Sequence, residues 1–319
     1  MKPETAQSCQ TDTLSSMQVT PHSLDTCVCA IGVFDGVHLG HQALLKDLTD
    51  DAIKLGAESV AVTFDRDPDE LFCPDKVHKL LTNTERIQVL DTFVDSVLSL
   101  RFSPELAHME YGEFLDYLLS LLPGLKVIHV GENFRCGARA LGGIAEISSW
   151  AEEHGITVVA HTLYLKEGVP VSSSRIRGLL AEGKVSRAAE FLSRPFALTG
   201  HVVPGAGRGS GLGFATANVE VEGTFAMMGP YVYAAYALIG ESRYKAAVSI
   251  GEPPTFSPES REFDPFLLEA HLLDFKEDLY GQDLKLEFIE NLRPMQRFAN
   301  REELITTVMG NIAWVRENL

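Results

Sequence analysis

CVCAIGVFDGVHLGHQALLKDLTDDAIKL, Cys27 to Leu55, sets a strand, a glycine turn and a helix in that order. CVCAIGVF (27–34) is an apolar run of strand length. HQALLKDLTDDAIKL (41–55) places Ala43, Leu44, Leu48, Ala52 and Leu55 mainly on one helical face. Between them Gly32, Gly36 and Gly40 permit a tight turn and close backbone approach to a ligand. His38 and His41 are three residues apart, so a helix starting around Val37 to Leu39 puts both imidazoles on one face near its N-terminus. Free N–H groups and the positive dipole end point there, which suits a triphosphate. Imidazoles at that point could donate hydrogen bonds to phosphate oxygens as charge develops. The same spacing also fits one core histidine and one capping histidine. It fits two zinc ligands as well, but no third ligand is obvious in the sequence.

The alternation continues downstream. ESVAVTF (58–64), DSVLSLRF (95–102), LKVIHVG (125–131) and ITVVAHTLYL (156–165) read as strands. TERIQVLDTF (84–93, with Thr84 as N-cap), GEFLDYLLSLL (112–122) and a stretch around 145–154 read as helices. Strands alternating with helices predict a parallel sheet with helices on its faces. Ligands of such sheets sit at the carboxyl ends of the strands. SSSRIRGLLAEGKVSRAAEFL (172–192) reads as one or two short helices.

Past Phe196 the pattern changes. FALTGHVV, ATANVEV, YVYAAYALIG, RYKAAVSIG, FLLEAHLLDF and LKLEFIENL follow one another without intervening helices. These runs predict a closed or nearly closed antiparallel barrel. A final helix, REELITTVMGNIAWVREN, has Asn300 as N-cap and Glu303 at the capping-box position. The expected divisions are a weakly ordered polar extension over 1–24, a first domain over 25–186 and a second over 187–319.

Composition narrows the possible partners. The formal net charge of −17 disfavours non-specific nucleic-acid binding, because phosphate backbones reward positive surface. Anionic ligands would then have to be held by local arginines, backbone N–H groups and metal ions. The five cysteines are scattered and show no C-x-x-C pair, which fits a reducing cytoplasm and argues against a zinc site. The N-terminal residues lack the basic and apolar regions of a signal peptide, and no apolar run is long enough to span a membrane. The expected partners are therefore small molecules, with neither nucleic acid nor membrane, in a cytoplasmic monomer or transient oligomer.

GAGRGSGLGFATAN (205–218) alternates glycine with other residues from Gly205 to Gly213. It lacks the lysine of G-x-x-x-x-G-K-[ST], and no helix follows it, so neither a P-loop nor a dinucleotide fold is supported. An alternating run between two strands fits a plain hairpin as well as a segment whose bare side lets a ligand lie against backbone N–H groups.

Taken together these motifs carry a specific resemblance. GVFDGVHLGH (32–41) resembles the His-x-Gly-His loop of nucleotidyltransferases, in the extended form seen in prokaryotic FAD synthetases. KLLTNTERIQVL (79–90), HVGENFRCG (129–137) and VSSSRIRGLLAEG (171–183) resemble further motifs of that family, in its order. TGHVVPGAGRGSGLGFATAN (199–218), SIGEPPTF (249–256) and LEAHLLDFKEDLYG (268–281) are similar to riboflavin kinase motifs. The chain is thus identified as resembling the bifunctional riboflavin kinase/FAD synthetase family over about residues 27–319.

The resemblance implies a Rossmann-like nucleotidyltransferase domain followed by a six-stranded riboflavin kinase barrel with a terminal helix. It implies ATP-dependent phosphorylation of riboflavin to FMN, then adenylylation of FMN to FAD with release of pyrophosphate, both with Mg2+. ATP at the adenylyltransferase site is implied to meet Gly32, Phe34, Asp35, Gly36, His38, His41, Asn133, Ser172, Ser173, Ser174 and Arg177. His38 and His41 would act in catalysis, and Arg177 would neutralise phosphate oxygens. At the kinase site the implied ATP and metal contacts are Gly205, Gly207, Arg208, Gly209, Gly213, Thr216 and Asn218. Thr216 and Asn218 offer the hard oxygen ligands that Mg2+ prefers. Glu269 maps onto the family's catalytic base.

Two departures are visible. TFDRDP (63–68) has Arg66 and Asp67 where the family has proline and histidine, and no role is carried over to Asp67. Ala215 stands in place of a proline. A kinase with an impaired adenylyltransferase domain and a non-catalytic flavin-binding regulator remain open as alternatives at this point.

Overall fold

A computed structural model describes residues 25–68, 70, 78–204, 216–221, 223, 225–251 and 267–319. The predicted extension over 1–24 and the glycine run Gly205 to Gly213 lie outside the described residues. Packing divides the described residues into two compact units. The first gathers 25–34, 43–68, 70 and 83–162, and the second gathers 35–42, 78–82 and everything from 163 onward. The His38 loop and the helices of 172–192 fall in the same unit as the barrel.

The first unit is a parallel α/β sheet. Its elements are β1 (Cys27–Ile31), α1 (Leu39–Leu55), β2 (Glu58–Phe64), α2 (Asn83–Leu90), β3 (Ser96–Leu100), α3 (Pro104–His108), α4 (Tyr111–Leu121), β4 (Leu125–Gly131), α5 (Ile144–Glu153) and β5 (Thr157–His161). The strand order is β3-β2-β1-β4-β5 and every pairing is parallel. β1 lies in the middle and is buried at all its positions. A central parallel strand is covered on both faces, which is why CVCAI is continuously apolar rather than alternating. Parallel neighbours need long crossovers. α1 supplies the first and buries Leu44, Leu45, Leu48 and Ala52 at helical spacing.

Two local details differ from the sequence reading. α2 begins at Asn83, so Thr84 sits inside the first turn rather than at the cap. The Asn83 amide reaches back to the Asp65 carbonyl. α3 was not expected, since five residues are too few for a periodic signal; Ser103 caps it and Pro104 opens it.

The second unit continues with β6 (Leu165–Lys166), β7 (Val169–Pro170), α6 (Ser173–Ala181), α7 (Val185–Leu192), β8 (Phe196–Val203), β9 (Ala217–Glu220), β10 (Tyr231–Ile239), β11 (Ser242–Ile250), β12 (Leu267–Leu272), β13 (Asp283–Pro294) and α8 (Arg301–Asn318). β8 to β13 close into an antiparallel barrel in the order β10-β11-β12-β9-β8-β13. Each strand points alternate residues inward. Phe196, Leu198, Tyr233, Val248, Leu268, Ala270 and Phe288 share one buried core with Ile176, Leu180, Phe191 and Leu192 of α6 and α7. On the opposite face, α8 lays Ile312 and Val315 on Ala234 and Leu273. Asn300 caps α8, with its side chain accepting from the Glu303 N–H at 2.8 Å. The Glu303 carboxylate accepts from the Ala299 N–H rather than completing the box on Asn300.

Candidate active sites

The loop between β1 and α1 is held in uncommon backbone geometry. Phe34 (φ 54°), Gly36 (φ 79°) and Val37 (φ 39°) all lie in the left-handed region. Such positions cost about 1–3 kcal/mol each for non-glycine residues and persist only where the surroundings over-determine them. Gly36 has a second constraint: a Cβ there would come within 2.7 Å of Leu80 Cδ1.

His38 forms the N-cap of α1. Its carbonyl accepts from the Gln42 N–H at 2.9 Å. Its Nδ1 accepts from the His41 N–H at 3.3 Å. An imidazole nitrogen that accepts carries no proton, so the neutral ring is protonated at Nε2 and can donate from there. The two rings stack with centroids 3.7 Å apart and planes 14° from parallel. Burial lowers the His38 pKa to about 4, with Arg194 and Arg177 adding to the effect. Burial holds His41 well below its ordinary value, helped by His38. Both rings are therefore neutral at physiological pH. The first-turn N–H groups and dipole of α1 supply the positive character.

Asp35 ties the loop to α6. Its carboxylate accepts from Arg177 at 2.6 Å and from the Leu80 N–H at 2.9 Å. The Ser173 hydroxyl donates to the Asp35 carbonyl at 2.8 Å. Ser172 caps α6 by accepting from the Arg175 N–H at 3.3 Å, and Ser174 accepts from Arg177 at 3.4 Å. The three serines and Arg177 thus already have partners within the protein.

Gly32, Phe34 and Asn133 belong to the first unit. Gly32 follows β1 and donates to the Val62 carbonyl at 3.0 Å. The Phe34 ring covers it, 3.3 Å from where a Gly32 Cβ would lie. Asn133 is exposed in the turn after β4. β1 and β4 are neighbours, and the strand order reverses between them, so their carboxyl ends border the crevice where open α/β sheets take ligands. In the TFDRDP segment, Asp65 accepts from the Phe102 N–H at 2.8 Å, and the Asp67 N–H donates to Glu70 at 2.8 Å.

The barrel brings three polar strand residues into one cross-strand row. Asn218 of β9 pairs in register with Glu269 of β12, which pairs in turn with Ser249 of β11. Their sequence neighbours Val219, Leu268, Ala270, Val248 and Ile250 fill the barrel core. Alternation therefore turns Asn218, Glu269 and Ser249 to the outer face. Directly opposed residues have Cβ atoms roughly 4.5–5.5 Å apart, within reach of a shared ligand. Thr216, half-buried, immediately precedes β9. Hydroxyl, carboxamide and carboxylate oxygens suit Mg2+, which needs only one or two protein ligands when phosphates and water complete its shell. Among the described residues no cluster of three or more His, Cys, Asp or Glu could hold a metal ion.

Two residues that no motif singled out also touch the His38 loop. Arg194 donates to the carbonyls of Gly36 at 2.6 Å, Val37 at 3.4 Å and Leu192 at 3.0 Å. Gln42 donates to the carbonyls of Val37 at 2.8 Å and Leu192 at 3.2 Å. Arg194 is more than 150 positions from the loop, so no spacing rule could have found it. The available signal was a single cation in the otherwise uncharged FLSRPF.

Residues 20–175 match the FAD synthetase family model, and residues 192–319 match the riboflavin kinase model. The chain is 33% identical over 291 residues to the bifunctional riboflavin kinase/FMN adenylyltransferase of Pseudomonas fluorescens, covering 91% of this chain and 92% of that one. It is 34% identical over 294 residues to the enzyme of the same name from Escherichia coli K12, with coverage of 91% and 92%. A crystal structure described as a macrolide-efflux protein from Streptococcus pneumoniae superposes with a TM-score of 0.81 at 26% identity, covering 92% of this chain and 94% of that one. Among the described residues no helix here is long and apolar enough to cross a membrane.

Proposed function

The chain belongs to the bifunctional riboflavin kinase/FMN adenylyltransferase family, and from that premise we propose how its residues divide the two reactions. It phosphorylates riboflavin to FMN and adenylylates FMN to FAD. We assign adenylyl transfer to 25–186 and phosphoryl transfer to 187–319, in the cytoplasm.

For phosphoryl transfer, the observation that carries the assignment is the opposition of Asn218 and Glu269 on the outer barrel face. Glu269 accepts the proton of the ribityl 5′-hydroxyl as that oxygen attacks the γ-phosphorus of ATP and ADP leaves. Thr216 and Asn218 would hold Mg2+, whose contribution when bound is to neutralise phosphate charge. The glycine run Gly205 to Gly213 with Arg208 is assigned to ATP through the resemblance alone.

For adenylyl transfer, an FMN phosphate oxygen attacks the α-phosphorus of ATP and pyrophosphate leaves. The neutral His38, protonated at Nε2, donates to a phosphate oxygen where charge builds, beside the first turn of α1. The lowered pKa values make the imidazoles hydrogen-bond donors rather than cations. Arg177, held by Asp35, presents its remaining N–H groups to phosphate from a fixed position. Gly32, Phe34 and Asn133, near the carboxyl ends of β1 and β4, are assigned to the nucleotide through the resemblance alone. No covalent intermediate is needed, so positioning and charge stabilisation carry the rate.

Incubation with riboflavin, ATP and Mg2+, followed by chromatographic separation of flavins, tests this reading. FMN and then FAD should accumulate. FMN alone would remove the adenylyltransferase assignment, and binding without conversion would remove both.

A further inference from the structure

We propose that Arg194, which lies in the riboflavin kinase match, is a positioning residue for adenylyl transfer because its guanidinium clamps the carbonyls of the His38 loop. The inference rests on the reading above that this loop carries the adenylyl step. The loop falls within residues 20–175, the FAD synthetase match, whereas Arg194 falls within 192–319. Both nevertheless pack in one compact unit.

The geometry is particular. α7 ends at Ser193 in a left-handed cap (φ 60°), and Arg194 follows directly. Its Nη2 donates to the Gly36 carbonyl at 2.6 Å. Its Nη1 faces the Val37 carbonyl at 3.4 Å and the Leu192 carbonyl at 3.0 Å. Gly36 and Val37 are two of the positive-φ residues of the loop, and Val37 immediately precedes His38. Strained backbone of this kind needs external anchors to stay in one conformation. A planar guanidinium can hold carbonyls of two chain segments at once, which a single ammonium point charge cannot do in the same fixed fork. Gln42 adds a second anchor by joining the Val37 and Leu192 carbonyls. Together they fix the position from which His38 caps α1.

The competing role is a plain helix cap, in which Arg194 serves only the end of α7. Steady-state kinetics of the full-length chain separate the two. Arg194→Gln should lower kcat for FMN adenylylation by about 10²-fold, the scale of a misplaced catalytic group. KM for FMN should change little, and riboflavin phosphorylation should stay within about twofold, since no substrate contact of the barrel is touched. Arg194→Lys should recover only part of the loss. Unchanged adenylylation in Arg194→Gln, an equal fall in both activities, or full rescue by lysine would each overturn the proposal. His38→Ala, measured alongside, keeps two failures apart. If His38→Ala abolishes adenylylation and Arg194→Gln does not, the clamp alone is wrong. If neither does, the assignment of the loop is wrong.

Discussion

Asn218 on β9 stands directly across the antiparallel ladder from Glu269 on β12, and both side chains leave the barrel on its outer face. A carboxamide and a carboxylate so opposed can serve one phosphoryl transfer, a metal ligand on one strand and a base on the other. Glu269→Gln should therefore slow riboflavin phosphorylation by about 10²- to 10⁴-fold, the usual contribution of general base catalysis. Asn218→Ala should slow the same reaction. FAD formation from supplied FMN should continue in both variants, as followed by flavin chromatography.

His38→Ala and His41→Ala should show the reverse pattern. Loss of a preorganised donor costs about 10²–10³ in kcat. FMN adenylylation should fall by that order while riboflavin is still phosphorylated. His38→Ala also removes the side-chain cap of α1. Thermal melts should accordingly show a loss of stability of about 1 kcal/mol.

The Asp35–Arg177 pair joins the His38 loop to α6 at 2.6 Å, with Asp35 largely shielded from solvent. Residues in one network couple by about 0.5–3 kcal/mol. A double-mutant cycle on Asp35→Asn and Arg177→Gln, read by urea unfolding, should give a favourable coupling energy in this range. If Arg177 acted only on phosphate, the two single changes would add.

Acid should weaken the first unit. His129 on β4 is fully buried, its Nδ1 lies 2.9 Å from His161 Nε2, and its Nε2 lies 3.4 Å from Asp51. Burial, and then His161, lowers its pKa from 6.5 to about 4, against the pull of Asp51 and Asp47. His161 is lowered as well, chiefly by burial. Below pH 6.5 the unfolded chain thus binds protons that the folded chain excludes, so unfolding takes up protons. The stabilisation is complete above pH 6.5 and is lost progressively as pH falls toward 4. For His129 alone it is on the order of 3 kcal/mol. Denaturant titrations across this window should show stability falling with pH. In His129→Leu the slope should decrease by about one proton, roughly 1.4 kcal/mol per pH unit.

The sequence by itself determined the order of the two architectures. Continuous apolar runs such as CVCAI mark strands covered on both faces, and the alternation in FALTGHVV marks a barrel wall; both are local periodicities that a chain carries without its tertiary partners. The same reading found the strand-turn-helix around His38 and His41, because glycine and histidine spacing along one segment is local too. Short elements escaped it: α3 has five residues, fewer than two helical turns. Tertiary structure decided the rest. It set the charge and tautomer of His38 through burial and the His41 N–H. It joined Arg177 to Asp35 across 142 positions, brought Arg194 to Gly36 across 158, and turned Asn218 and Glu269 to the same side of the barrel. Desolvation and hydrogen-bond partnership depend on which distant groups share a volume, and no spacing along the chain encodes that.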